Sequence, residues 1–305
     1  MFQVLHGINV DWMGRRHLAY IISGILVVAS LVSLIAHGGP KYGVDFTGGS
    51  ALEFSLKPTP GVDDVRSAVE SAGFSGAEIQ QRLDRPAEFL IRLGVQQAGT
   101  DPAPAVEAAL RGIAPNMAVE LLRVETVGPR VGTELRSAAV KAVLLALGLI
   151  LVYVAARYDW RYAAGAVVAL FHDVFITLGV LSILDREITL TVVAALLTLA
   201  GFSINDKVVV FDRIRERKQS LRRESPERIM NLGINETLSR TIITNGTVAV
   251  STLSLFLFGG DVLRDFSLAM LVGAVVGTYS SLYVASALAL ELQLRTEKSG
   301  PSRKR

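Results

Sequence analysis

Asn205, Asp206 and Lys207 stand side by side near the end of a long apolar run. An Asp or Lys at the centre of a membrane-spanning helix costs roughly 2.5–3.5 kcal/mol on insertion scales, so ionisable groups there point to function by default. The chemistry open to them is exchange of a proton or cation, because burial and a neighbouring cation pull a carboxyl in opposite directions and make its charge switchable. Arg240, at the start of a later apolar run, is the expected counter-charge. Asp206 lies five residues before Phe211, which sets it roughly 8–10 Å inside its end of the helix, and Arg240 is expected at a similar level. The plainer alternative is a permanent pair of Asp206 with Arg240 or Lys207 that only fixes helix register.

Polar residues recur around these charges. Thr237, Arg240, Thr244, Thr247 and Ser251 follow three- and four-residue steps, which draws one stripe along a helix. On the earlier run Thr191, Thr198 and Asn205 mark a comparable line, with Ala194 and Gly201 small enough to admit a neighbouring helix. Such stripes are costly in lipid and are expected to face other helices or a wet cavity. His172-Asp173, near the middle of another apolar run with Thr177 one turn on, is a secondary candidate, and its plainer reading is a packed, hydrogen-bonded pair. Gly273-x-x-x-Gly277 is most simply a close-packing face.

Other chemistries lack their residues. There is no cysteine, hence no disulfide framework, thiolate metal site or Cys nucleophile. No P-loop, H-E-x-x-H, G-x-S-x-G or G-x-G-x-x-G pattern occurs. No enzyme activity, cofactor or metal is expected, only a coupling ion: protons, with Na⁺ as the alternative.

The elements that must position the charges follow from hydropathy. Half of the 305 residues are hydrophobic, 19% are charged against about 25% in soluble domains, and mean hydropathy is +0.43. That is the composition of a polytopic membrane protein. Six apolar runs, 18–36, 137–156, 162–184, 188–211, 241–258 and 266–290, approach the ~20 residues a span requires. A cleaved signal peptide competes for the first, but the run is long and Leu34 spoils the small-x-small pattern before His37, so an uncleaved helix is expected.

Residues 37–132 differ in character, with charges, Pro and Gly throughout. The pattern predicts a strand over 44–56 interrupted at Gly48-Gly49, and a helix over 62–72 opened by Asp63-Asp64. Strands over 77–83 and 88–93 flank the Asp84-Arg85-Pro86 turn, a helix capped by Asp101-Pro102 ends near Gly112, and a last strand covers 117–127. The order β-α-β-β-α-β is that of a ferredoxin-like α+β domain.

Charge placement orients the whole. Arg15-Arg16, Arg157, Arg161, a basic loop over 212–236 and the tail Arg303-Lys304-Arg305 fall on one side, expected to be cytoplasmic. The other side receives the insert and two short turns carrying only Arg186 and Arg264. Ser225-Pro226-Glu227 reads as the N-cap and first turn of a short surface helix within the basic loop. Anchoring explains that loop's charge, and no aromatic residues interleave its arginines, so no nucleic-acid partner is expected. The fold class is thus a polytopic α-helical membrane protein with six transmembrane helices and a ferredoxin-like α+β domain on the outer side, inserted between helices 1 and 2. The divisions fall at 1–36, 37–132, 133–292 and 293–305, with both termini cytoplasmic.

Four motifs in this order carry a resemblance over essentially the whole chain: Gly43-Val44-Asp45-Phe46-Thr47-Gly48-Gly49, Val127-Gly128-Pro129, the stretch 202–216, and Ile234-Asn235-Glu236-Thr237-Leu238-Ser239-Arg240-Thr241. The chain resembles the SecF family, the smaller subunits of the bacterial SecD–SecF protein-export accessory complex in the resistance-nodulation-division superfamily. The resemblance implies residence in the bacterial inner membrane, assembly with SecD, association with the SecYEG channel, and use of the proton gradient to draw unfolded preprotein out on the far side. It places the family's intramembrane acid and arginine on Asp206 and Arg240, and matches Asp173 to the His-Asp-Val motif of the third span. One departure stands out. The residue after the acid in this family is usually small and hydroxylated, often Thr, and here it is Lys207. A sequence neighbour on a helix points elsewhere around the axis, yet it adds positive potential beside Asp206. Half of a proton-coupled small-molecule antiporter is a rival function, which the small, aromatic-poor insert argues against; a non-conducting scaffold of the translocon is another.

Overall fold

The computed structural model describes residues 9–82, 85–94 and 101–299. Leu83 and Asp84 of the expected strand and turn, and the basic tail Arg303-Lys304-Arg305, lie outside them. Six helices among the described residues are long and apolar enough to cross a membrane. They are α1 (Arg16–Ala36), α5 (Pro129–Arg157), α6 (Trp160–Ile183), α7 (Leu190–Ser220), α8 (Pro226–Phe258) and a final composite span. The last is built of α9 (Gly260–Tyr279), a π-helical turn over Ser280–Ala285 and α10 (Ser286–Ser299). The polytopic fold class is as expected.

Two compact units divide the chain, one formed by Tyr42–Lys141 with Ile188–Leu190 and the other by the rest. In the first, β1 (Gly49–Lys57), α3 (Val62–Ser71), β2 (Glu78–Gln81), β3 (Glu88–Leu93), α4 (Ala103–Arg111) and β4 (Ala118–Val127) follow one another. The sheet is antiparallel throughout, in the order β2-β3-β1-β4. With strand order 4-1-3-2, this is the ferredoxin-like arrangement. Alternation sets its core: Leu52, Phe54 and Leu56 on β1, with Phe89, Ile91 and Leu93 on β3, pack under Val65 and Val69 of α3 and Val106 and Leu110 of α4. The expected strand over 44–56 is shorter. Val44–Thr47 forms a helical turn, α2, and the strand begins at Gly49. Gly48 and Gly49 have φ of 72° and 107°, and a Cβ on Gly49 would run into the Leu93 carbonyl, so only glycines permit the switch from turn to strand. The Asp45 carboxylate accepts from the amide of Leu190, the first residue of α7, at 2.7 Å.

The second unit packs around α6, which contacts α1, α9, the π-helical turn and α10. Small residues set the approach. A Cβ on Gly165 would sit 2.6 Å from the Ala285 carbonyl, and Gly179 receives Ser30 of α1. Gly273 and Gly277 lie against Leu199 and Ser203 of α7, the close-packing face expected of them.

The basic stretch 212–236 is helix rather than loop. α7 continues to Ser220 and α8 begins at Pro226, which leaves 221–225 as the connection. Hydropathy records where a helix leaves the apolar layer, not where its hydrogen bonds stop. Beyond that level, Glu236 of α8 pairs with Arg213 and Arg217 of α7, each at 2.6 Å. Ser225 caps α8, accepting from the Arg228 amide at 3.3 Å with Pro226 in the first turn, but the helix it opens is the 33-residue α8 itself rather than the short surface helix expected. The segment before α1 is tied to the same helix. Asn235 accepts from the Val10 amide and the Trp12 indole, and Asn231 accepts from the Met13 amide.

Each unit has its own core, so damage should stay local. Phe54→Ala should cost the α+β unit about 3–5 kcal/mol. Amide hydrogen exchange on the full chain should speed up in β1, β3 and β4 while α6 keeps its protection. Equal loss in α6 would show one shared cooperative unit.

Candidate functional site

Successive residues of a helix point about 100° apart, so Asp206 and Lys207 look toward different neighbours. Each meets its own buried polar cluster.

Lys207 is fully buried, and so is its partner, Asp173 of α6. The Lys207 ammonium donates to Asp173 Oδ2 at 2.8 Å, to Ser203 Oγ at 2.5 Å and to Ser280 Oγ at 3.1 Å. Three donors meet three oxygens, which uses the full capacity of an ammonium group. Both serine hydroxyls in turn donate to Asp173 Oδ2, at 2.6 and 2.7 Å. His172 Nδ1 lies 3.0 Å from Asp173 Oδ1, and its Nε2 lies 3.2 Å from Ser23 Oγ of α1. Ser23 meets the Tyr279 hydroxyl at 3.0 Å, and that hydroxyl donates to the Ala19 carbonyl. The π-helical turn makes this closure possible. Its wider coil brings Ser280 and Ser281 inward together, both fully buried.

Asp206 faces the other way, toward α8. Thr241 Oγ1 donates to Asp206 Oδ1 at 3.0 Å, and Asn245, one turn on, donates to the Thr241 carbonyl at 2.8 Å. Asp206 Oδ2 is buried and accepts no hydrogen bond among the described residues. The first cluster is saturated and fixes position. The second holds a carboxyl oxygen on which a proton can be placed without breaking an existing bond, and a buried acceptor in that state calls for a functional account.

The expected pairing of Asp206 with Arg240 is absent from this chain. Arg240 is exposed and makes no ion pair among the described residues. The reason is rotational phase. Thr241 is fully buried against Asp206, so the residue before it is turned outward. The inward line on α8 is Thr237, Thr241, Asn245 and Thr252, while Thr247 and Ser251 share the exposed face with Arg240. On α7 likewise, Ala194, Thr198, Gly201 and Asn205 are exposed, and the inward polar residues are Ser203, Asp206 and Lys207. The structure therefore joins Asp173, Lys207 and His172 in one cluster, sets Asp206 beside it, and leaves Asn205 and Arg240 outside both. Ser203, Thr241, Asn245 and Ser280 went unrecognised in the sequence. The available signals were the helical spacing of Thr237, Thr241 and Asn245, and a Ser280-Ser281 pair within an apolar run.

Comparison with known proteins bears on the whole chain. Residues 105–295 match the family described as protein export membrane protein SecD/SecF, C-terminal, and residues 33–60 match the SecD/SecF GG motif. Protein translocase subunit SecF of Escherichia coli O157:H7 is 43% identical over 298 residues, covering 97% of this chain and 92% of that protein. The Vibrio alginolyticus subunit of the same name is 41% identical, covering 99% of this chain and 96% of that protein. The crystal structure of SecDF, a translocon-associated membrane protein from Thermus thermophilus, is similar with a TM-score of 0.84 at 40% identity. The match covers 97% of this chain and 40% of that one.

Removing one member of a buried ion pair costs about 3–5 kcal/mol, whereas replacing both is often near neutral. Lys207→Met should lower the thermal unfolding midpoint of the purified protein, and Lys207→Met with Asp173→Asn should recover most of the loss. Unchanged stability in the single variant would show that the ammonium is not held at Asp173.

Proposed function

The chain belongs to the SecD/SecF protein-export membrane family, and we propose that it is the SecF-type half of a proton-driven export accessory. In this reading it sits in the bacterial inner membrane with both termini in the cytoplasm. The basic ends of α5, α7 and α8 lie on that side, by the positive-inside rule, and the ferredoxin-like unit lies in the periplasm. It assembles with SecD, works beside SecYEG, and helps draw unfolded preprotein outward. Two observations support the SecD partnership. The similar SecDF chain carries the matching region as 40% of one polypeptide. This chain also turns Arg240, Thr247 and Ser251 of α8, and Thr198 and Asn205 of α7, away from its own helices. A guanidinium at that depth needs polar company, which a neighbouring bundle supplies.

The observation that carries the coupling role is the half-satisfied Asp206 carboxyl beside the saturated Lys207–Asp173 cluster. Protonation of Asp206 at Oδ2 removes the carboxylate charge and weakens, without breaking, the bond that Oδ1 accepts from Thr241, which loosens α8, while Lys207 keeps α7 fixed to α6 and the last span. α8 then moves against a stationary core. A proton falling through 100 mV releases roughly 2.3 kcal/mol, which biases a two-state equilibrium roughly fortyfold. That suffices to drive a swing of helices and leaves the unfolding of a domain out of reach.

Asp206→Asn should abolish the gradient-dependent part of preprotein translocation into inverted membrane vesicles while the ATP-driven part continues. Asp206→Glu should retain a fraction of it. Undiminished gradient dependence in Asp206→Asn would remove the coupling role from this residue.

A further inference from the structure

A cavity of about 260 Å³ opens where α5 ends, α6 begins and α7 leaves the apolar level. Its floor is aromatic. Phe211 packs edge-on against Tyr158 and Tyr162, with ring centroids 5.8 and 5.1 Å apart. Its rim is cationic, formed by Arg157, Arg215 and Lys218. On α7, Phe211, Arg215 and Lys218 are spaced four and three residues apart, so one helical face supplies both floor and rim.

The local charges leave two cations over. Arg157 is held by Asp212 at 2.9 and 3.1 Å. Asp159, the acidic residue of the lining, caps α6 through the Arg161 amide and lies 3.6 Å from the Arg161 guanidinium. Arg215 and Lys218 are exposed and form no ion pair among the described residues. Burial pushes the Tyr158 hydroxyl well above its ordinary range, so it stays protonated, and it donates to the Val208 carbonyl at 3.1 Å. The floor therefore adds no negative charge.

The surroundings identify the ligand's other half. Leu145, Leu149 and Val152 make an exposed apolar face on α5, on successive turns leading toward this end, and Tyr153 and Trp160 are exposed near it. Aromatic side chains at that level mark the boundary between acyl chains and headgroups. We propose that the cavity binds the phosphate of an anionic phospholipid, with Arg215 and Lys218 supplying the charge and the α5 face carrying the acyl chains. A mere topology anchor needs positive charge alone; it has no use for an aromatic-floored concavity continuous with an apolar face.

Native mass spectrometry of the full chain in complex with SecD, titrated separately with phosphatidylglycerol, phosphatidylcholine and inorganic phosphate, tests this. Phosphatidylglycerol should bind in preference to phosphatidylcholine. Arg215→Ala with Lys218→Ala should weaken that binding roughly thirtyfold. The swap Arg215→Lys with Lys218→Arg should keep it, which separates charge from folding. Arg222→Ala with Arg223→Ala removes the same charge from the adjacent connection and should leave binding unchanged. Equal weakening by that control pair would reduce the effect to general attraction and overturn the proposal. So would equal binding of phosphatidylcholine, or full displacement of the lipid by inorganic phosphate.

Discussion

An ammonium group with no access to water is the constraint around which the membrane unit is arranged. Taking Lys207 and Asp173 out of water costs several kcal/mol per ion, and their attraction offsets this only if every remaining donor and acceptor is met. Three helices must therefore converge to hydrogen-bonding distance at one point. α7 brings Lys207 and Ser203, α6 brings Asp173, and the last span brings Ser280. The small residues follow from that demand. Gly277 sits against Ser203 and Asp173, and Gly165 lets α6 touch the backbone of the π-helical turn. The turn itself interrupts a regular helix, a departure justified here by the serine it delivers.

Fixing one face of α7 leaves the other face free to act. Asp206 is one residue along, and that single step moves it from the three oxygens around Lys207 to the Thr241 hydroxyl of α8, with Ser281 and Asn245 close by. A residue bound on all sides makes a poor switch and a good anchor, while one bound on a single side has the opposite properties. Consecutive positions on α7 join the two through the backbone while their side chains bond to different helices. Lys207 thus anchors α7 to α6 through Asp173, and its positive charge also stands beside the Asp206 carboxyl. The third face of the same helix leaves Thr198 and Asn205 exposed.

Much of the architecture was legible in the sequence because it rests on local patterns. Apolar runs set the six spans, and turn residues with alternating strands set the order of the ferredoxin-like unit. The ends of α7 and α8 were not legible, since Arg213, Arg217 and Glu236 read as loop charge until their pairing across two helices is seen. The start of β1 was misplaced because Val44 and Phe46 look like strand residues, and the glycine pair that redirects them acts through φ rather than hydropathy. Asp206 and Arg240 stand out in the sequence as charges in apolar runs, but charge says nothing of rotational phase, and one residue's offset on α8 turns the arginine away. Asp173 and Lys207 are 34 residues apart on different helices. Their contact is a property of packing, with no local spacing to announce it.

The central proposal is a division of labour between two buried acids, in which Asp206 exchanges the proton and Asp173 holds Lys207 in place. Infrared difference spectra of the chain reconstituted with SecD, recorded across an acid step, resolve the carbonyl stretch of a newly protonated carboxyl. That band should vanish in Asp206→Asn and persist when Asp173 and Lys207 are replaced together by Asn and Met. A band that survives the first change and disappears with the second would contradict the account.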